Sequence, residues 1–392
     1  MPHDRNRHVL ALIEQKLSLA PVVAIQGARQ TGKSFIGQIL LTQKLRAASY
    51  ISLDEKALRV AAQNSPDDFL LRYPDARPLI IDEVQKAPDL FDALKLNVDR
   101  KRVPGKFLIL GSTEFSRLSH IRESLTGRMS RTRVFPFNIA ESLSLPINTA
   151  SARHLLNSTP RASREDLHRY LQNGGLPGVF AVRSSLERDQ ILSDILDLIV
   201  FRDARFVKSF DPELGKDILS QIAQLDFPQL SELSAKLKRD SRIIKKHVEV
   251  LQELFVLNRV DPHISSTGKS LYYLYDCALA AFLGASHRRV LQTWFLNEQL
   301  SQRSSQGQLK WKVLYYSNAK SKMIDFVLQT EGHICAVRIL EDAAVRKTDG
   351  LLMTHFVEKL GDSLPCSKVI LGPYPHSFQE NGIEYFPYES VV

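Results

Sequence analysis

The chain has 392 residues, 44% hydrophobic and 24% charged, and Lys plus Arg exceed Asp plus Glu by 52 − 43 = 9. This is the composition of a folded chain with room for two or three domains, which excludes a disordered protein, and no run approaches the ~20 apolar residues of a membrane span. The positive balance makes an anionic partner such as nucleic acid an expectation, while three scattered cysteines, Cys277, Cys335 and Cys366, support neither a disulfide framework nor a zinc cluster.

The first element, residues 8 to 19, spaces His8, Val9, Leu10, Leu12, Ile13, Leu17 and Leu19 with partly helical period, so a helix is expected to pack on the sheet that the next segments build. The segment before it has no signal-peptide pattern, so a cytoplasmic location without a membrane partner is expected. Pro21 to Ile25 is a short β-branched run, read as a buried strand. It feeds Gly27-Ala28-Arg29-Gln30-Thr31-Gly32-Lys33-Ser34, which fits the phosphate-loop pattern G-x-x-x-x-G-K-[ST] at every fixed position, and Phe35 to Leu41 reads as the first turns of a helix. A strand, a glycine-rich turn and a helix N-terminus point successive N–H groups at one spot, which suits the β- and γ-phosphates of ATP. Lys33 would neutralise the phosphates, and the Ser34 hydroxyl would help to hold Mg²⁺.

Residues 48 to 54 alternate as a strand ending in an acid. Pro78 to Ile81 is a hydrophobic run closing in Asp82 and Glu83. A buried strand ending in Asp82 can bring a carboxylate beside Ser34 for Mg²⁺, while Glu83 can polarise the attacking water as general base. Two such motifs in this order are far more specific than either alone. A third strand, Lys106 to Gly111, ends in Ser112 and Thr113, either of which can sense the γ-phosphate or simply cap the strand.

The next segments are Ser124-Leu125-Thr126-Gly127-Arg128 and Pro136-Phe137-Asn138-Ile139-Ala140-Glu141, followed later by Gly174-Gly175-Leu176-Pro177. With the motifs above, they resemble the prokaryotic AAA+ ATPases that carry the C-terminal domain of unknown function 4143. The resemblance covers most of the chain. It implies an α/β fold with a parallel-sheet phosphate-loop core over residues 1–150 and a helical lid over 151–220, the polar, proline-ended stretch 151 to 160 marking the boundary between them. It also implies that Arg128 is an arginine finger, within its own subunit or on a neighbour in an oligomer. Arg122, Arg131 and Arg133 share the region, and a structural ion pair is the other reading of Arg128. Arg202-Asp203 resembles the family's Arg-Asp pair and reads as a helix-surface ion pair.

Residues 221–278 read as a winged helix. Leu230 to Leu237 is one helix, Ser241 is the expected N-cap of a second, and Ile244, Val248, Leu251 and Phe255 form its buried stripe. Arg242, Lys245 and Lys246 lie off the stripe and can meet DNA phosphates, which Glu249 and Glu253 dilute. Val256 to Pro262 and Ser270 to Tyr275 would be the wing, joined by a flexible loop.

Family members commonly end in a restriction-nuclease-like fold, expected here over 279–392, in which an Asp and a Glu-x-Lys bind metal. Here Asp325 supplies the first acid, but the Glu position falls on Arg338 and the Lys position on Leu340, and Glu341 is an odd step away. The preceding helix reads Phe295-Leu296-Asn297-Glu298 where the family tends to show Phe-Glu-Asn. The tail is therefore expected to have lost its metal chemistry, with Asp325 a remnant or a structural acid.

The expectation is an ATPase that binds ATP and Mg²⁺ and couples hydrolysis to an unknown nucleic-acid or protein partner. The rivals are an ATP-gated DNA-binding regulator and, less favoured, an active metal-dependent nuclease.

Overall fold

The computed structural model describes residues 5–115, 125, 127–147, 160–204, 207, 209–307, 311–318, 323–344, 347–361 and 364–392. Arg122, Ser124, Thr126 and most of the expected boundary at 151–160 lie outside them.

The N-terminal part is a five-stranded parallel sheet: β1 (Val22–Gln26), β2 (Ser49–Ser52), β3 (Leu79–Asp82), β4 (Phe107–Gly111) and β5 (Met129–Arg133), ordered β2-β3-β4-β1-β5. The three central strands are buried at every position, as expected of apolar runs covered on both faces. One face carries Val9, Leu10, Ile13 and Leu17 of the helix Val9–Leu19, with Ile36 and Leu41 after the glycine-rich turn. The other carries Phe69, Leu90, Phe91, Leu94 and Val98. The helix after the turn is not regular: Lys33–Phe35 is α-helical, Ile36–Leu41 is a π-helical stretch, and α-helix resumes at Thr42–Lys44. Such wide turns are frequent at functional sites.

Arg164–Asn173 and Ser185–Asp197 are helices, the second continued by a π-helical stretch Leu198–Asp203. Between them Gly174-Gly175 makes a close approach: a Cβ on Gly175 would stand 2.1 Å from the Phe137 carbonyl oxygen. Gly175 N donates to Asp276 Oδ2 at 2.8 Å, so this turn is tied both to the segment after β5 and to the C-terminal half.

Pro212–Gln224 packs on Leu230–Leu237 and Ser241–Glu253 and also on the stretch Leu198–Asp203. These three helices lead into the hairpin of β6 (Leu257–Pro262) and β7 (Leu271–Leu274). Ile244, Val248, Leu251 and Phe255 are buried as their spacing predicts. The cap of the third helix is Asp240, not Ser241: its carboxylate accepts from Arg242 N at 2.8 Å, which a carboxylate does well against the helix N-terminal dipole.

The loop between β6 and β7 is not loose. Asp261 and Pro262 pair with β8 (Lys312–Ser317), and Ser266 Oγ both donates to Ser317 O at 3.1 Å and accepts from Ser317 N at 3.0 Å. The hairpin therefore continues an eight-stranded mixed sheet with β9 (Met323–Gln329), β10 (Ile334–Ile339), β11 (Cys366–Gly372), β12 (Phe378–Glu380) and β13 (Ile383–Pro387), ordered β12-β13-β11-β10-β9-β8-β6-β7. This sheet runs across the expected boundary at 278. The helix His287–Ser305 crosses its face almost wholly buried, Trp294 and Phe295 sharing a core with Ile139, Tyr170 and Val392. Glu298 on that helix is no stray acid: Oε2 accepts from Ile139 N at 3.0 Å at the start of the helix Ile139–Ser142, and burial pushes its carboxyl up to about 7. None of the helices among the described residues is long and apolar enough to cross a membrane.

Candidate functional site

The C-terminal ends of β1, β3 and β4 meet at one edge of the parallel sheet, where Gln26 pairs with Gly111, and Asp82 ends β3. The turn Gly27 to Ser34 leaves β1 at that edge. Gly32 caps the following helix with φ 89°, a left-handed conformation that a side chain would strain. The turn is braced from outside by Arg7, which is buried: Nη1 donates to Thr31 O at 2.7 Å, Nη2 to Phe135 O at 2.7 Å and Nε to Glu141 Oε1 at 3.1 Å. Glu141 also closes the capping box with Asn138. The sequence pattern singles out Pro136 to Glu141, but nothing in it reveals Arg7, whose partners lie 24 to 134 residues away.

Lys33 is turned inward, 6% exposed, with Nζ donating to Gly27 O at 2.9 Å and Ala28 O at 2.7 Å. Burial pushes its ammonium down to about 8, against Glu83 and Asp82, which raise it. A polyphosphate seated on the loop would hold that proton. Nucleotide affinity is therefore expected to fall about tenfold per pH unit as pH rises above about 8, with proton uptake on binding, because the free ammonium is then lost while the complex must regain it. Calorimetric titrations at pH 7, 8 and 9 in two buffers of different ionisation enthalpy check this. A pH-independent affinity over that range would show Lys33 titrating at an ordinary lysine value.

Asp82 is buried, with Oδ2 accepting from the Tyr50 hydroxyl at 2.7 Å and Oδ1 from Glu83 N at 2.8 Å. Burial first and then Asp82 push the Tyr50 phenol well up, while the Ser34 and Ser52 hydroxyls that bond it act the other way. Tyr50 thus donates to Asp82 while the Ser34 hydroxyl acts on the same phenol. Ser34 and Asp82 both carry hard oxygen donors, the chemistry that fits Mg²⁺, which normally takes one or two protein ligands and completes its shell with phosphates and water. Among the described residues no cluster of three or more His, Cys, Asp or Glu could hold a metal by itself.

Glu83 follows in a left-handed conformation, φ 53°, unusual for a non-glycine residue and found preferentially at working sites. Its Oε2 accepts from Gln85 Nε2, and the same nitrogen lies 3.2 Å from Ser112 Oγ. Its Oε1 lies 4.0 Å from Arg29 Nη1, and Arg29 Nε donates to Asp203 Oδ2. Asp203 is therefore not in a helix-surface pair with Arg202 but reaches the phosphate loop across 174 residues of sequence. Thr113 Oγ1 is buried without a hydrogen-bond partner among the described residues, while its carbonyl accepts from Gln26 Nε2 at 2.8 Å.

The structure does not bring Arg128 to this cluster within one chain. Its carbonyl accepts from Val22 N at 3.3 Å, at the beginning of β1, and its guanidinium bonds Asp99 Oδ1 at 2.5 Å and Oδ2 at 3.0 Å. The loop leaves the other end of β1, four residues or about 13 Å further along at ~3.3 Å per residue. A motif shows that an arginine follows a glycine, not which end of a strand receives it. Arg133 stands at the loop edge of β5, but it is half-buried between Phe135 and Phe255 and donates to Asn258 Oδ1 at 2.8 Å. Arg131 lies 3.7 Å from Glu114.

In the C-terminal sheet Asp325 is fully buried and accepts from Arg288 Nη2 at 2.7 Å, Gln292 Nε2 at 2.6 Å and Ile339 N at 2.8 Å. Arg338 stands 3.9 Å from it and 3.1 Å from Asp349. Leu340 is buried, and Glu341 is exposed beyond the end of β10. Two guanidinium groups thus occupy the surroundings where a divalent cation would need oxygen ligands. Arg242, Lys245 and Lys246 are exposed on the third helix of the helix–hairpin module, as their spacing predicts.

Residues 20–143, which include the whole phosphate-loop cluster apart from Arg7 and Asp203, match the family model described as an AAA domain. An uncharacterized protein of Mycobacterium tuberculosis is 24% identical over 273 residues, covering 67% of this chain and 55% of its own length. The chain thus spans about half the length of the mycobacterial relatives it matches. An uncharacterized protein of Methanocaldococcus jannaschii is 25% identical over 342 residues, covering 81% of this chain and 74% of its own. Among solved structures the chain is similar to the Walker-type ATPase of Pyrococcus abyssi, with TM-score 0.44, 14% identity and coverage of 72% of this chain and 99% of that one. It is also similar to the Thermotoga maritima RuvB Holliday junction branch migration motor, with TM-score 0.28, 16% identity and coverage of 64% and 89%.

Proposed function

We propose that this chain is an AAA+-type ATPase that binds ATP with Mg²⁺, hydrolyses it, and couples the cycle to a nucleic-acid or protein partner. The observation that supports this best is the cluster Lys33, Ser34, Tyr50, Asp82 and Glu83 at one sheet edge, within the segment that matches the AAA-domain model. Gly27 to Ser34 would bind the β- and γ-phosphates, with Lys33 exchanging its two loop carbonyls for phosphate oxygens. Ser34 and Asp82 would hold Mg²⁺, which would neutralise charge on the phosphates. Glu83, released from Gln85 and Arg29, would take a proton from the water attacking the γ-phosphorus, as the bond to the bridging oxygen breaks and ADP leaves. Ser112 would sense the γ-phosphate through Gln85, and Thr113, whose buried hydroxyl has no partner among the described residues, would orient the water. Arg128 would serve as a finger from a neighbouring chain of an oligomer, since its own loop is out of reach. Mg²⁺-dependent release of phosphate from ATP by the purified protein tests the proposal; nucleotide binding with no turnover at any Mg²⁺ concentration would count against it.

A DNA-facing role for the helix–hairpin module, read as a winged helix, is favoured by a specific surface. Arg242, Lys245 and Lys246 are exposed beside Lys236, Lys238 and Arg239. Asp240 and Glu249, which pair with Arg242 and Lys245, temper that surface without covering it. Neutralising Arg242, Lys245 and Lys246 together is expected to weaken duplex binding and to reduce the slope of log affinity against log salt by roughly 2 to 3 units. Fluorescence anisotropy across a salt series checks it; an unchanged slope would move the partner's contact elsewhere. The nuclease-like reading of the tail is one of fold without metal chemistry, given the arginine-locked Asp325.

A further inference from the structure

We propose that Arg29, oriented by Asp203, is the arginine that contacts the γ-phosphate within a single chain, and that its contact with Glu83 restrains the base until that phosphate arrives. The inference rests on the ATPase reading above and names a cation that the sequence pattern treats only as a variable loop position.

Three features meet at this side chain. Arg29 lies in the loop itself, and among the described residues it is the arginine within ion-pair distance of Glu83, at 4.0 Å. Its guanidinium is held from the other side by Asp203 at the end of the π-helical stretch Leu198–Asp203. Ala28, its neighbour in the loop, is buried in the same core as Leu192, Ile195, Leu196, Ile199 and Val200 of the helical segment that ends in Asp203. The guanidinium is thus clamped between the loop and the lid helix rather than waving from the surface, its side chain being 22% exposed.

Competition for the guanidinium sets the chemistry. A planar guanidinium offers several donors, so it can keep Asp203 on Nε while its terminal nitrogens change partner. A terminal phosphate carries more charge than a carboxylate and presents oxygens to which a guanidinium bonds directly, whereas Glu83 at 4.0 Å makes only a loose pair. The γ-phosphate therefore takes Arg29 from Glu83. Glu83 loses its cationic partner at the moment a water is to be deprotonated, and Arg29 meets the charge that grows on the phosphoryl oxygens. Asp203 is a positioning residue acting through Arg29, so movement of the lid helix would set whether the guanidinium is in place.

The test compares ATP affinity, ADP affinity and turnover in the full chain. Arg29→Ala is expected to lower kcat by about 10²- to 10³-fold, in line with loss of one transition-state donor, and to narrow the preference for ATP over ADP while leaving ADP affinity within a few-fold. Asp203→Asn is expected to lower kcat about tenfold with ADP affinity unchanged, and Asp203→Glu to restore most of it. The exchanged pair Arg29→Asp with Asp203→Arg separates the role from simple packing. It should recover thermal stability lost by the single changes but not turnover, because the cation then sits on the lid. Turnover regained by the exchanged pair, or Arg29→Ala with wild-type kcat, would overturn the proposal. Absence of turnover in the wild-type protein itself would overturn the ATPase reading, and this inference with it.

Discussion

Lys33→Ala is expected to reduce Mg·ATP affinity by about 10²-fold or more, with Lys33→Arg recovering only part of it. A charge-assisted hydrogen bond to phosphate contributes ~1.5–3 kcal/mol, each ~1.4 kcal/mol is tenfold, and Lys33 has two such bonds to give. The resting structure adds a second reason. Nζ holds Gly27 O at 2.9 Å and Ala28 O at 2.7 Å, so its removal takes a donor from both loop carbonyls, leaving Ala28 O with the Thr31 hydroxyl at 2.9 Å, and loosens the turn. Arginine restores the charge, but its wide, planar head does not fit where a compact ammonium sits 6% exposed. Equilibrium titration with a fluorescent ATP analogue measures the loss. Affinity within a few-fold of wild type would mean that phosphates bind somewhere other than this loop.

Glu83→Gln is expected to lower kcat by about 10²- to 10⁴-fold, the range usual for loss of a general base, while ATP affinity stays within a few-fold. Glutamine keeps the shape and the contact with Gln85 but cannot accept a proton. It also removes the carboxylate that pairs with Arg29, so ATP affinity should rise slightly if anything. Steady-state phosphate release beside an ATP titration of the same sample separates the two effects. Undiminished turnover would remove Glu83 as the base.

Much of this site was legible in the sequence because its parts are local. A strand, a loop and a helix N-terminus are contiguous, and Asp82 and Glu83 end a strand that the apolar run Leu79-Ile80-Ile81 announces. The alternation of residues 49 to 52 held a further signal, since Ser52 pairs with Asp82 and Tyr50, two residues earlier, shares its face. What escaped was long-range pairing. Nothing near Asp203 says that its partner is Arg29, and nothing near Arg7 says that it braces Thr31. Arg128 shows the converse limit: its neighbours in sequence fit a motif, yet the parallel register of β5 on β1 sends it to the far end of the sheet. The periodicity of single helices such as Ser241–Glu253 was readable, but not that β6 would join β8, because two residues of ladder, Asp261 and Pro262, carry no pattern of their own.

A structure of the Glu83→Gln protein with Mg²⁺ and ATP tests the central claim most directly. The β- and γ-phosphates are expected within the turn Gly27 to Ser34, the metal beside Ser34 and Asp82, and the substituted amide at position 83 facing the γ-phosphate. Nucleotide bound away from that turn, or a metal remote from Asp82, would contradict the claim.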